Sequence, residues 1–86
     1  MNWQLVKNVD PKPNQYVIVF ERIGNLQIVE FAQRFTDDDG NDSVRVSTCF
    51  AKLVNTPHET DITTFEDFKE VYHDAYWSPF NKPAGE

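Results

Sequence analysis

The chain has 86 residues, one cysteine, a formal charge of -6, 40% apolar side chains and 14% aromatic ones. This length holds one hydrophobic core, since a second would need about 50 residues of its own, and the composition is too apolar for a disordered chain. The acidic balance argues against general binding to nucleic-acid backbones, the lone Cys49 rules out an internal disulfide and a cysteine zinc site, and no apolar run reaches the length of a membrane span.

The opening segment, Met1 to Asp10, lacks the apolar stretch of a secretory leader, so a cytoplasmic protein is expected. Gln15 to Glu21 is an unbroken β-branched and aromatic run, the pattern of a strand covered on both faces. Gly24-Asn25 suits a two-residue hairpin turn and leads into a second strand, Leu26 to Phe35. In it Val29, Phe31 and Phe35 alternate with Glu30 and Arg34, so one face is expected to be wet. Asp37 to Asp42 has turn chemistry throughout, and a third strand is expected from Ser43 to Val54.

Asn55 to Asp61 reads as a loop. Thr63 stands three residues before Glu66, the spacing of a capping box, and predicts a helix over Thr64 to Ala75. Phe65, Phe68, Tyr72 and Ala75 recur at helical spacing, with Val71 beside them, and these would cover one face of the sheet. Tyr76 to Phe80 is an extended aromatic segment in which Pro79 fits an edge strand or a strand end. The expected architecture is α+β: a three- to four-stranded antiparallel sheet with one helix packed on one face, in a single domain over 1–86 whose last residues, 81–86, fray.

Catalytic chemistry has few candidates. His58 and His73 are the only neutral-pH proton carriers, and Cys49 on a strand reads as a buried apolar group rather than a nucleophile. The acidic turn suggests calcium, but an EF-hand loop beginning at Asp37 needs Gly where Asp42 stands and Glu where Thr48 stands. No enzyme activity, cofactor or metal is expected.

Charge distribution points to binding. Residues 1–36, 37–54 and 55–86 carry +1, -2 and -5. On the expected helix Glu66, Glu70 and Asp74 fall four residues apart along one stripe, which Asp67 widens. Asp74 would sit at the helix end where the dipole disfavours an anion. Two readings stand: a solvated face that maintains solubility, or, with Asp37, Asp38 and Asp39, a recognition surface for a host protein with a basic surface. In the second reading carboxylates stand where phosphates would lie, as in a DNA mimic. Tyr76 and Trp77, with Trp3 and Phe80, either complete the core or anchor an interface. A homodimer formed through a sheet edge or the aromatic tail is the alternative.

The chain ends add a resemblance. Trp3, Pro13, the strand Tyr16-Val17-Ile18-Val19 and the tail Tyr76-Trp77-Ser78-Pro79-Phe80 with Pro83 resemble short phage and prophage proteins of the domain-of-unknown-function 551 family. Those proteins carry a Trp segment, a proline, a V-L-V-type strand and a His-Trp-Met-Pro-Leu-Pro-like tail; here Tyr76 takes the His position and an acidic helix segment precedes the tail. The resemblance transfers no catalytic residues. It implies a mobile-element origin, the bacterial host cytoplasm, and an accessory or inhibitory role against a host machine.

Overall fold

The computed structural model describes residues 2–80, so the expected frayed tail, 81–86, lies outside the described residues. In chain order the elements are β1 (Gln4–Leu5), β2 (Tyr16–Ile23), β3 (Leu26–Thr36), β4 (Asp42–Ser47), α1 (Phe50–Asn55), a 3-10 turn (Pro57–Glu59), β5 (Asp61–Thr64), α2 (Phe65–Val71) and β6 (Tyr76–Pro79). The strands form one antiparallel sheet in the order β1-β6-β2-β3-β4-β5. The expectation of three to four strands and one helix is therefore corrected to six strands and two short α-helices among the described residues.

The β2–β3 hairpin is the longest pairing, running from Tyr16↔Gln33 to Ile23↔Leu26. Its turn is closed by Gly24 at φ +60 with Asn25 outside the positive-φ region, which matches a turn with Gly at the first central position. At the other end Asp37 braces the β3–β4 turn, its carboxylate accepting the backbone N–H of Asp39 at 2.9 Å and of Asn41 at 2.8 Å. Those hydrogen bonds favour the ionised form and hold the Asp37 carboxyl below its usual range.

Register assigns the two faces. Val17, Val19, Ala32, Val44 and Val46 share one face and are buried beneath Phe65 and Phe68 of α2, with Val6, Ala75 and Trp77 completing that core. Glu30 and Arg34 lie on this same face, so the side of β3 expected to be wet is the side that carries the main core. Their polar heads are used there: Arg34 stacks over the Phe65 ring at 4.0 Å and Glu30 accepts the Tyr72 hydroxyl at 3.1 Å. Tyr16 and Phe31 lie on the opposite face, where Phe50 of α1 meets both rings at 5.4 Å and Phe80 at 4.6 Å.

This second aromatic cluster explains why the third strand stops at Ser47. Continued as a strand, Phe50 would share the face of Val44 and Val46. The Cys49 N–H instead donates to Ser47 Oγ at 3.0 Å, and the helical turn that follows swings Phe50 to the other face and buries Leu53. Cys49, expected to be buried on a strand, is exposed at the start of α1. Asp61–Thr64, expected as loop and helix start, pairs with β4 from Val46↔Asp61 to Ser43↔Thr64.

The helix is shorter than expected, ending at Val71 rather than Ala75, and its cap is Thr64 rather than Thr63: Thr64 Oγ1 accepts the Asp67 N–H at 3.0 Å. It ends where the chain must re-enter the sheet. Ala75 N–H donates to Tyr72 O at 2.8 Å, and Ala75 O accepts from Val6 N–H at 3.0 Å. Pro79 closes β6 opposite Val17, beyond the two residues that β1 pairs, so its missing N–H leaves no ladder bond unmade on that side.

Arg34 joins three segments. Its Nε and a terminal nitrogen donate to the two Asp42 carboxylate oxygens at 3.0 and 2.6 Å, and its other terminal nitrogen donates to Pro11 O at 2.7 Å. The hydrogen bonds from Arg34 hold the Asp42 carboxyl below its ordinary range. Because the folded pKa is depressed, the ion pair contributes above the unfolded value near 4, and that contribution is lost as pH falls through the folded pKa. Asp42→Asn is expected to cost at most about 1 kcal/mol at neutral pH, given the half-exposed Asp42, and its stability curve should converge with that of the parent at strongly acid pH. Urea unfolding of both chains across the acid range checks this; a constant gap would contradict it.

Candidate functional site

The expected acidic stripe is divided by the end of α2. Glu66, Asp67 and Glu70 are exposed on the helix, but Asp74 lies three residues beyond it and pairs with His73 at 3.0 Å and Lys7 at 3.9 Å. Near the helix start, cations separate the acids: Lys69 lies 4.7 Å above the Phe65 ring and 3.8 Å from Asp10, and Arg34 stacks on the same ring. The turn and the helix start are thus joined by a mixed seam rather than a continuous negative surface. In the turn, Asp37 and Asp42 are engaged structurally, while Asp38 and Asp39 are exposed.

The two aromatic candidates separate as neighbours on a strand do. Trp77 is buried in the main core and its indole N–H donates to Val9 O at 2.9 Å, so it does not present a contact surface. Tyr76 points to the opposite face and, with Trp3 and Phe20, lines an open apolar hollow of about 280 Å³. Trp3 and Tyr76 are 42% and 44% exposed, the level at which an aromatic ring remains available to a partner.

A different set of acids converges at the far end of the α2 face. Glu30, Asp61, Ile62, Val71 and Tyr72 line one groove of about 210 Å³. A second groove, bordered by Glu21, Arg22, Val71, His73 and Asp74, lies across Val71, which forms the wall common to both. Val71, expected to help cover the sheet, instead points away from the core that Phe65 and Phe68 fill and is 69% exposed; Ile62 is 52% exposed. An apolar ridge therefore stands with Glu30 and Asp61 on one side and Glu21 and Asp74 on the other.

Tyr72 registers this convergence. Burial raises the pKa of its hydroxyl, and the Glu30 charge, the hydrogen bond to Glu30, and the charges of Glu21 and Asp61 raise it further. Among the described residues no ion pair within 4.0 Å engages Glu21, Glu30 or Asp61, although Lys52 and Glu59 border the adjoining depression. Nor does any group of three His, Cys, Asp or Glu side chains among the described residues have the spacing of a metal site.

Of the sequence candidates, Asp74 joins this surface, Glu66 and Asp67 lie at the opposite end of α2, and Asp37, Asp38 and Asp39 lie at the β3–β4 turn. Glu21, Glu30 and Asp61 were not legible as a group because they come from three different strands. Only the pairings Val19↔Glu30 and Val46↔Asp61 set their faces. His58 lies in the 3-10 turn and His73 follows α2, both exposed. Among the described residues no helix is long and apolar enough to cross a membrane. No protein-family model, no curated protein and no solved structure matches this chain.

Proposed function

We propose that this chain is a non-enzymatic binding protein that occupies a basic surface on another protein, using Val71 as an apolar centre and Glu21, Glu30, Asp61 and Asp74 as its acidic border. The observation that carries this reading is the grouping of acids from three strands and the turn after α2 around one exposed apolar side chain. An apolar centre with a polar rim is the usual arrangement of a protein interface, and rim carboxylates steer a basic partner to it. A structural helix would more simply carry a polar residue at Val71.

The resemblance to phage and prophage proteins supports an accessory or inhibitory role in the bacterial host cytoplasm. In this reading the acidic border occupies a groove that handles nucleic acid or belongs to a defence complex, its carboxylates standing where phosphates would lie. The chain acts stoichiometrically, through Tyr76 and the helix acids only where the partner extends beyond the Val71 border.

Capture from a bacterial lysate at low salt, followed by elution with rising salt, tests this reading when two immobilised proteins are compared. The parent chain is expected to retain a basic protein that the triple variant Glu21→Gln, Glu30→Gln, Asp61→Asn does not. Equal retention by both would contradict the proposal. The amide in place of Glu30 retains an acceptor for Tyr72, so the comparison reads charge rather than fold.

A further inference from the structure

The β2–β3 hairpin extends beyond the sheet that flanks it. β2 pairs with β3 along its whole length, whereas β4 pairs with β3 only from Phe31↔Ser47 to Thr36↔Asp42. Among the described residues, Leu26 to Glu30 therefore has no strand partner on the β4 side, and at its inner end Thr48, Lys52 and Glu59 border a depression beside Glu30. The gap is five residues long, about 17 Å at ~3.4 Å per residue.

The backbone along this gap is set to pair. In a two-residue hairpin the closing residues, Ile23 and Leu26, exchange hydrogen bonds, so Leu26, Ile28 and Glu30 turn their N–H and C=O groups to β2. Gln27 and Val29 turn theirs outward. The same alternation turns Phe31, Gln33 and Phe35 toward β4, and on the other side of the hairpin Tyr16 O accepts the Phe80 N–H at 2.9 Å, as it requires.

Proteins usually guard such an edge with Lys, Pro, a bulge or a covering loop. This one reads Leu-Gln-Ile-Val, and Ile23, Leu26 and Val29 are 55%, 67% and 49% exposed. The two outer strands of the sheet offer less: β1 is two residues long, and β5 is four residues long, starts with Asp61 and passes directly into α2, which leaves no room for a long ladder.

We propose that two copies of this chain pair antiparallel along Leu26–Glu30, about a two-fold axis at Ile28, each hairpin tip filling the gap left by the partner's short β4. In this register Gln27 faces the partner's Val29, Val29 faces the partner's Gln27, and four main-chain hydrogen bonds form. Leu26 faces the partner's Glu30, so no like charges oppose, and Ile28 meets its own copy. The result is a continuous twelve-stranded sheet. This edge meets the acidic border around Val71 at Glu30, but the residues altered in its test, Gln27, Ile28 and Val29, lie outside that border, so the two readings fail separately.

Sedimentation equilibrium of the whole chain over a range of concentrations is expected to show a dimer. Gln27→Lys with Val29→Lys places Lys opposite Lys twice and is expected to give a monomer. Gln27→Lys with Val29→Glu places opposite charges in the same positions and is expected to restore the dimer. Both positions are exposed, so the far-ultraviolet spectrum and melting temperature should be retained. Ile28→Cys in a Cys49→Ser background should form a disulfide to its own copy under mild oxidation, because Cα atoms of such a non-bonded pair lie about 4.5 Å apart, within disulfide reach. A parent chain that stays monomeric overturns the proposal, as would indistinguishable behaviour of the two charge variants.

Discussion

Replacing Phe68 with alanine is expected to cost about 3–5 kcal/mol, most of the net stability of a domain this small. Phe68 is 1% exposed, lies 6.4 Å from the Phe65 ring and 4.8 Å from that of Tyr72, and covers the face bearing Val17, Val19, Val44 and Val46. The sheet beneath it is rigidly paired, so the space left by the ring cannot collapse fully, and the cavity adds to the lost burial. At about 4–8 °C per kcal/mol the melting temperature should fall by at least 12 °C. Val71→Ala, three residues further along the same helix, should change it little because Val71 is mostly exposed. A small effect at Phe68, or a large one at Val71, would mean that α2 is rotated on the sheet.

Reversing Glu21, Glu30 and Asp61 to lysine should weaken capture of the basic partner by about ten- to hundredfold, or about 1.4–2.8 kcal/mol. These carboxylates come from β2, β3 and β5 and have no ion pairs within 4.0 Å among the described residues, so their field is directed outward rather than neutralised internally. Reversing Glu66 and Asp67 should cost less, since Arg34 and Lys69 share the surface at that end of α2. Binding measured against salt separates the two sets: the first reversal should flatten the salt dependence strongly and the second only slightly. An equal or opposite order would return weight to the helix acids.

The parts of the fold legible in the sequence are those fixed locally. Gly24 marks the hairpin, Asp37 to Asp42 marks the turn, Pro79 ends a strand, and Phe65, Phe68, Tyr72 and Ala75 mark the side of α2 and its exit that faces the core. What was hidden depends on distant partners. Val44, Val46, Thr48 and Phe50 alternate as a strand would, yet the ring cluster of Tyr16, Phe31 and Phe80 draws Phe50 across the sheet and makes a helix of the segment after Cys49. Asp61–Thr64 is too short to carry a periodic signal and becomes a strand only because β4 offers an edge.

The acidic surface was partly legible for the same reason. Period-two alternation placed Glu30 and Arg34 together but could not tell which side of β3 would be covered. Both ended beneath α2, one holding Tyr72 and the other Phe65. Helical spacing linked Asp74 to Glu66 and Glu70, whereas the turn after Val71 brings it beside Glu21. The excess negative charge in the second half of the sequence was a correct signal of composition, but the sheet register decided where acids from different halves meet.

Tyrosine ionisation followed by ultraviolet absorbance, in the parent chain and in Glu21→Gln, Glu30→Gln, Asp61→Asn, tests the convergence of these carboxylates most directly. Tyr72 is one of three tyrosines, and its raised folded pKa contributes stability that is complete below the unfolded value near 10 and is lost as pH rises through the folded one. The parent should show one tyrosine ionising above the ordinary range, and the triple variant should move that step to lower pH while burial keeps part of the shift. Three tyrosines ionising together in the parent, or a high step left unmoved by the variant, would contradict the acidic surface around Tyr72.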